Sequence, residues 1–141
     1  MTQPVYPRIG LFIDGKWEYD HPTGPQVRNP SNEAVLACVP LAGVAELDRA
    51  LDAAQKGFLV WRDTPPEARA ALMHKAVALV RERRETIAQV ITLELGKPIA
   101  DSRYEVDRAC TIMEWDAAEA LRLYGRINPS GPGLQQMVLR Q

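Results

Sequence analysis

A chain of 141 residues, 46% hydrophobic and 25% charged, has the composition of one ordinary soluble globular domain, which excludes the disordered and fibrous classes. Its 17 basic and 18 acidic residues leave no excess of either sign to attract nucleic acid or an anionic lipid surface, and no apolar run approaches the roughly 18 residues a membrane span needs. Met1 to Pro7 lacks a basic segment followed by an apolar one, and Cys38 and Cys110 form neither a disulfide framework nor metal-ligand spacing, so a reducing, cytoplasmic setting is expected.

Leu11-Phe12-Ile13-Asp14-Gly15-Lys16-Trp17-Glu18 opens the patterned part of the chain. Asp-Gly between apolar flanks predicts a two-residue hairpin, because both central residues of a type I′ turn take positive φ. His21 to Gln26, carrying Pro22, Gly24 and Pro25, predicts a loop. Val27-Arg28 then leads into the dense turn cluster Asn29-Pro30-Ser31-Asn32-Glu33, and Ala34 to Val39 predicts a strand stopped by Pro40. Two hairpin-like units of this size do not stand alone.

Leu47, Ala50, Leu51, Ala54, Phe58 and Trp61 recur at steps of three and four and predict a helix from about Val44 to Arg62. Thr64 as a cap, Pro65 at the first helical position and Glu67 in a capping box predict the start of the next. That helix is expected from Pro66 to about Arg83, with Ala68, Ala71, Leu72, Ala76, Leu79 and Val80 inward. A third, from about Glu85 to Leu95, turns Ile87, Val90 and Ile91 inward and stops at Gly96, with Pro98 close behind. The fourth is expected from near Asp101 to Tyr124, with Val106, Ala109, Met113, Ala117, Leu121 and Tyr124 as its stripe and Gly125 as its stop.

Ile127 to Gly133 breaks the helical pattern, and Leu134 to Gln141 alternates as a final strand. After Leu139 only Arg140 and Gln141 remain, with no polar tail or capping element to protect that strand, and open edges are a liability complete domains cover. The expectation is therefore that Gln141 is a cut end. The fold class is α+β: short N-terminal β-hairpins, four helices and a terminal strand.

No catalytic set is legible. Cys38 in a predicted strand and Cys110 in mid-helix are not at a helix N-terminus or beside a cation or base, the settings that activate a thiol, and both are expected as small core or half-buried side chains. His21 in its loop and His74 on its helix are expected to be solvated, since a general base needs a partner and an orienting group. Trp17, Trp61 and Trp115 are expected to pack in the core. A dinucleotide turn needs glycines between a strand and a helix N-terminus, whereas Gly125 to Gly133 follows a helix and precedes a strand. Glu94 stands apart. It lies in the last turn of its helix, where exposed carbonyls disfavour a carboxylate by about 0.3–1 kcal/mol. Lys97 as a compensating cation, a bound metal ion and plain solvation are all open readings.

Phe12-Ile13-Asp14-Gly15-Lys16-Trp17 followed by Asn29-Pro30-Ser31 resembles the opening of aldehyde dehydrogenases. So do Ala53-Ala54 with Leu59-Val60-Trp61-Arg62, and Pro66-Glu67-Ala68-Arg69 leading into an amphipathic helix. Thr92-Leu93-Glu94-Leu95-Gly96-Lys97-Pro98 is the most specific stretch, and Glu105 with Leu123-Tyr124-Gly125 extends the match. Ile112-Met113-Glu114-Trp115 and Arg122-Leu123-Tyr124-Gly125 look most like the succinate-semialdehyde dehydrogenase branch.

The resemblance implies an N-terminal fragment of an NAD(P)-dependent aldehyde dehydrogenase, part of a larger α/β fold. Residues 1–10 would be an N-terminal arm, 11–133 the incomplete first part of the dinucleotide-binding domain, and 134–141 the start of an oligomerisation strand. It further implies a small-molecule aldehyde as substrate, NAD or NADP as cofactor and a homo-oligomer, dimer or tetramer. The family's cysteine nucleophile, general-base glutamate, oxyanion-binding asparagine and cofactor residues all fall downstream of this stretch, so no position here is catalytic or cofactor-binding and the isolated chain is expected inactive. The one carry-over is a monovalent cation held by Val27, Arg28 and Glu94. The alternative is a free-standing, non-catalytic α+β interaction or scaffold domain.

Overall fold

The computed structural model describes residues 6–139. Element order is β1 (Leu11–Ile13), β2 (Lys16–Glu18), β3 (Thr23–Arg28), β4 (Val35–Pro40), α1 (Val44–Asp63), α2 (Pro66–Glu82), α3 (Arg84–Leu95), α4 (Ile99–Ala120), β5 (Arg126–Asn128) and β6 (Gln136–Val138). The strands form three separate antiparallel pairs, β1-β2, β3-β4 and β5-β6. The α+β class with small hairpins and four helices is the one the sequence predicts.

Local chemistry sets several elements. Asp14 and Gly15 sit at φ 50° and 75°, the two left-handed residues the β1-β2 turn requires, and place Phe12 opposite Trp17. The stretch from His21 to Gln26, expected as a loop, is largely strand β3. Its pairing with β4 shifts register between Thr23 and Gln26, so Gly24 and Pro25 fall in the irregularity, where the missing proline N–H breaks no ladder bond. At the start of α1 the Glu46 carboxylate accepts the Gly43 N–H at 2.9 Å. Thr64 closes this helix and does not cap the next: its hydroxyl donates to the Val60 carbonyl at 2.7 Å. Helix α2 is preceded by Pro65, which offers no side-chain cap, and starts with Pro66 at its first turn.

The core is small and lies where α4 packs along α2 and α3. Ser102, Val106, Cys110 and Ala117 of α4 are buried against Ala70 and Val77 of α2 and Ala88 of α3. Short side chains at these positions let the helices approach closely. Ser102 is fully buried, and its hydroxyl is satisfied by Thr92 Oγ1 at 2.8 Å. Guanidinium–carboxylate pairs run along the rim: Arg81 with Glu114, Arg84 with Asp107 at 2.6 Å, and Arg103 with Glu85 at 2.7 Å. Each such exposed pair is worth only about 0–1 kcal/mol, so they orient the helices more than they hold them.

Four expectations about burial are overturned in whole or in part. In α2 the inward residues are Ala70, Met73, Ala76, Val77 and Val80; of the expected stripe Ala76 and Val80 are half-buried, whereas Ala68, Ala71, Leu72 and Leu79 are exposed. This helix is apolar on nearly every side, so spacing alone does not select its inner face. The tryptophans do not enter the core: Trp17, Trp61 and Trp115 are 58%, 41% and 62% exposed. Cys38 is exposed, although Cys110 is buried as expected. Helix α1 contributes no fully buried residue: of its predicted stripe only Ala50 is half-buried, and Leu47, Leu51, Ala54, Phe58 and Trp61 are exposed.

The C-terminal region also differs. Helix α4 ends at Ala120, not Tyr124, and the expected loop at Ile127 contains β5, which pairs with β6. Gly125 is not the helix stop. A side chain there would meet the Val138 carbonyl at 2.5 Å, so glycine permits the close approach of β6. All six residues of this hairpin are exposed.

Replacing Val77 by alanine is expected to cost about 2 kcal/mol, and replacing Leu72 by alanine less than about 0.5 kcal/mol. Denaturant unfolding followed by circular dichroism checks both. Equal losses would restore the stripe that spacing predicts.

Candidate functional site

The motif Leu93-Glu94-Leu95-Gly96-Lys97-Pro98 forms the junction between α3 and α4. Gly96 ends α3 in the left-handed conformation, φ 71° and ψ 9°, and its N–H donates to the Thr92 carbonyl at 2.9 Å, the ordinary glycine C-cap. Glycine is required twice over, since a side chain here would lie 2.9 Å from Pro30 Cγ and 3.4 Å from Ser31 Oγ. The Asn29-Pro30-Ser31 turn is therefore seated directly on the C-terminus of α3.

That turn is built from its own side chains. Asn29 Oδ1 accepts the Ser31 N–H at 2.9 Å, Asn32 Oδ1 accepts the Ala34 N–H at 3.0 Å, and Glu33 adopts φ 60°. The register of β3 with β4 shifts again between Val27 and Arg28, a bulge that re-aims the strand as it enters the turn.

The structure thus brings the turn that follows Val27 and Arg28 against the end of the helix that carries Glu94. The side chains are not aimed at one another. Arg28 donates to the Glu33 carbonyl at 2.9 Å and to the Gln26 side chain. Val27 is apolar and Arg28 is itself a cation, so either has only a main-chain oxygen to offer a metal. Glu94 offers a carboxylate on an exposed residue. This donor set suits a weakly held oxygen-seeking cation and no transition metal. Among the described residues, no group of three His, Cys, Asp or Glu side chains gathers for one.

Glu94 has a partner that the sequence reading does not find. Its carboxylate accepts a hydrogen bond from the Tyr6 hydroxyl. Partial burial, the hydrogen bond and the adjacent negative charge together push the Tyr6 phenol up to about 12. Lys97 does not compensate Glu94; it pairs with Glu105 on α4. Tyr6 lies 88 positions from Glu94, so no local spacing could have linked them.

The other chemistry-bearing residues are scattered. His21 is not solvated as expected: its side chain is 11% exposed and Nε2 lies 3.2 Å from Glu18 Oε2. Arg49 reaches from α1 to the same carboxylate with contacts of 2.6 and 2.8 Å, and holds Glu18 down to about 2, with His21 assisting. This cluster clips the first hairpin to α1. It contains a histidine–carboxylate pair without a nucleophile, and His74 is exposed as expected. The Gly131 to Gly133 segment closes the β5-β6 hairpin, with the Leu134 N–H on the Gly131 carbonyl at 3.1 Å. It is not a turn entering a helix, so these residues do not fit a dinucleotide phosphate.

Residues 17–141 match the aldehyde dehydrogenase family. The chain belongs to that family. It corresponds to the N-terminal segment of such enzymes. A 4-(hydroxymethyl)benzenesulfonate dehydrogenase of Comamonas testosteroni is 37% identical over 131 residues, 92% of this chain and 28% of the relative. The NADP(+) succinate-semialdehyde dehydrogenase of Saccharomyces cerevisiae is 34% identical over 142 residues, 100% of this chain and 29% of the relative. The crystal structure of an aldehyde dehydrogenase from Brucella melitensis biovar abortus superposes with a TM-score of 0.83 at 33% identity, over 89% of this chain and 26% of that one. The aldehyde dehydrogenase segment described here thus spans under a third of the length of the relatives it matches.

The raised Tyr6 phenol has a direct test. A folded-state value above the ordinary tyrosine value keeps the proton, so the bond to Glu94 holds through neutral pH and is lost only as pH rises through about 12. Ultraviolet titration should show one tyrosine ionising near there, absent in Tyr6→Phe and shifted part of the way back toward about 10 in Glu94→Ala. An unchanged titration in Tyr6→Phe counts against the pairing.

Proposed function

We propose that this chain supplies the N-terminal part of an NAD(P)-dependent aldehyde dehydrogenase that oxidises an aldehyde to a carboxylic acid, with succinate semialdehyde the first substrate to test. The observation that carries this reading is the family match along nearly the whole chain, joined to a core too small to cover its own helices. The residues that attack the aldehyde and hold the nicotinamide cofactor belong to sequence beyond this stretch; NAD and NADP fit the reading equally. The role of these residues is architectural. Residues 11–133 are the incomplete first part of the dinucleotide-binding domain, preceded by an arm over 1–10 and followed from 134 by the beginning of a strand shared between subunits of a dimer or tetramer; residues 1–5, 140 and 141 of those two segments lie outside the described residues. The yeast relative and the stretches around Trp115 and Tyr124 support the succinate-semialdehyde branch. A cytoplasmic location goes with the same reading; among the described residues no helix is long and apolar enough to cross a membrane.

The purified 141-residue chain is expected to give no aldehyde-dependent reduction of NAD or NADP, read at 340 nm with succinate semialdehyde. Turnover that survives Cys38→Ala together with Cys110→Ala would overturn this reading.

We also propose that main-chain oxygens of Val27 and Arg28, with the Glu94 carboxylate, hold a monovalent cation. Thermal midpoints in sodium, potassium and caesium chloride at equal ionic strength should differ for the native chain and coincide for Glu94→Ala. Identical midpoints for the native chain in all three salts would remove the site.

A further inference from the structure

A groove of about 570 Å³ opens between the C-terminal end of α1, the start of α2 and the end of α4, and an apolar cleft of about 190 Å³ adjoins it. Phe58, Trp61, Met73 and Leu123 line the two. Phe58, Trp61 and Leu123 are exposed at 55%, 41% and 54%, so three large apolar side chains stand uncovered at one place. Arg69 stands in both cavities. Its Nε is enclosed and has no hydrogen-bond partner, although buried donors in native proteins are nearly always satisfied. Its guanidinium lies 5.9 Å from the Trp61 ring, and Glu67 and Asp116 border the same cavities without forming an ion pair with it among the described residues. Arg62, which also lines the groove, is bonded to Asp63 at 3.0 Å.

We propose that this groove is a socket for a segment of the aldehyde dehydrogenase polypeptide beyond this stretch, a segment that sets a carboxylate or main-chain carbonyl on the Arg69 guanidinium and apolar side chains on Phe58, Trp61 and Leu123. The proposal rests on the reading above and adds the docking point. The occupant follows from three observations. Most of the relatives' length lies outside this chain. The smaller cleft is apolar and Arg69, with its enclosed, unmatched donor, stands where it meets the groove, the pattern of a desolvated anchor at a protein–protein interface. The charge facing it from Arg69 is positive and fixed, since a guanidinium does not titrate in the working range, so the matching group is an acceptor.

The test uses the 141-residue chain and a chimera in which it replaces the matching stretch of the yeast relative. The parent chimera should reduce NADP(+) with succinate semialdehyde and melt in one transition. Arg69→Met, which keeps the aliphatic stem, should lower that midpoint by roughly 5 °C or more, whereas Arg83→Met, outside both cavities, should leave it in place. In the 141-residue chain alone, Arg69→Met should leave the midpoint of helix loss unchanged or raise it, because the donor removed there has no partner. A parent chimera that neither melts as a unit nor turns over substrate sinks the reading of the chain as an aldehyde dehydrogenase segment, and the socket with it. An active chimera indifferent to Arg69→Met sinks the socket alone. An equal loss in the isolated chain assigns Arg69 to this chain's own packing, and self-association abolished by Arg69→Met puts a second copy in the groove; either overturns the proposal.

Discussion

The close approach of α4 to α2 and α3 is the constraint on which the rest of the structure depends. It is possible because the facing positions carry short side chains: Ser102, Val106, Cys110 and Ala117 against Ala70, Val77 and Ala88. A narrow seam of this kind excludes water without large residues, and its single fully buried hydroxyl is satisfied by Thr92. The seam also fixes the α3-α4 junction, because Thr92 is both the partner of Ser102 and the residue whose carbonyl Gly96 caps. Once that junction is set, the Asn29-Pro30-Ser31 turn has a surface to sit on, and Tyr6 can reach Glu94.

Several elements outside the seam are attached by polar clips. The first hairpin is tied to α1 through Glu18 and Arg49, Tyr6 to α3 through Glu94, and the rims of the helices through guanidinium–carboxylate pairs. Contacts of this kind orient elements more than they stabilise them. The larger apolar residues lie on the outside of this arrangement: the stripe of α1, Leu72 and Leu79 of α2, Trp115 of α4 and the whole β5-β6 hairpin. Small residues inside and large ones outside is the inverse of a self-sufficient domain, in which large apolar side chains dominate the interior. It is what a shell built to lie against a larger body requires, and it agrees with a family segment that spans only part of its relatives.

The candidate cation site was legible in its backbone and not in its side chains. Gly96 declares itself by the helix it ends, and the asparagines around Pro30 by the turns they close, because both depend on neighbours a few residues away. The partners of Glu94 and Lys97 depend on elements that meet only after folding, which is why Lys97 turns to Glu105 and Glu94 receives Tyr6. Arg69 was visible only as part of the family-like Pro66-Glu67-Ala68-Arg69 run. Its enclosed, unmatched Nε is a property of the groove between three helices, and no pattern along the chain encodes it.

By itself the sequence determined the number and order of the helices, the Asp14-Gly15 turn, the stop at Gly96 and membership of the aldehyde dehydrogenase family, since each is written in residues close together or in the order of short motifs. Tertiary structure decided which face of α2 turns inward, where the tryptophans lie, that β5 exists to pair with β6, and which charges meet. The physical reason is common to all four. Spacing along a helix or strand marks where apolar and charged groups are, whereas burial and pairing depend on what another element, remote in sequence, brings alongside.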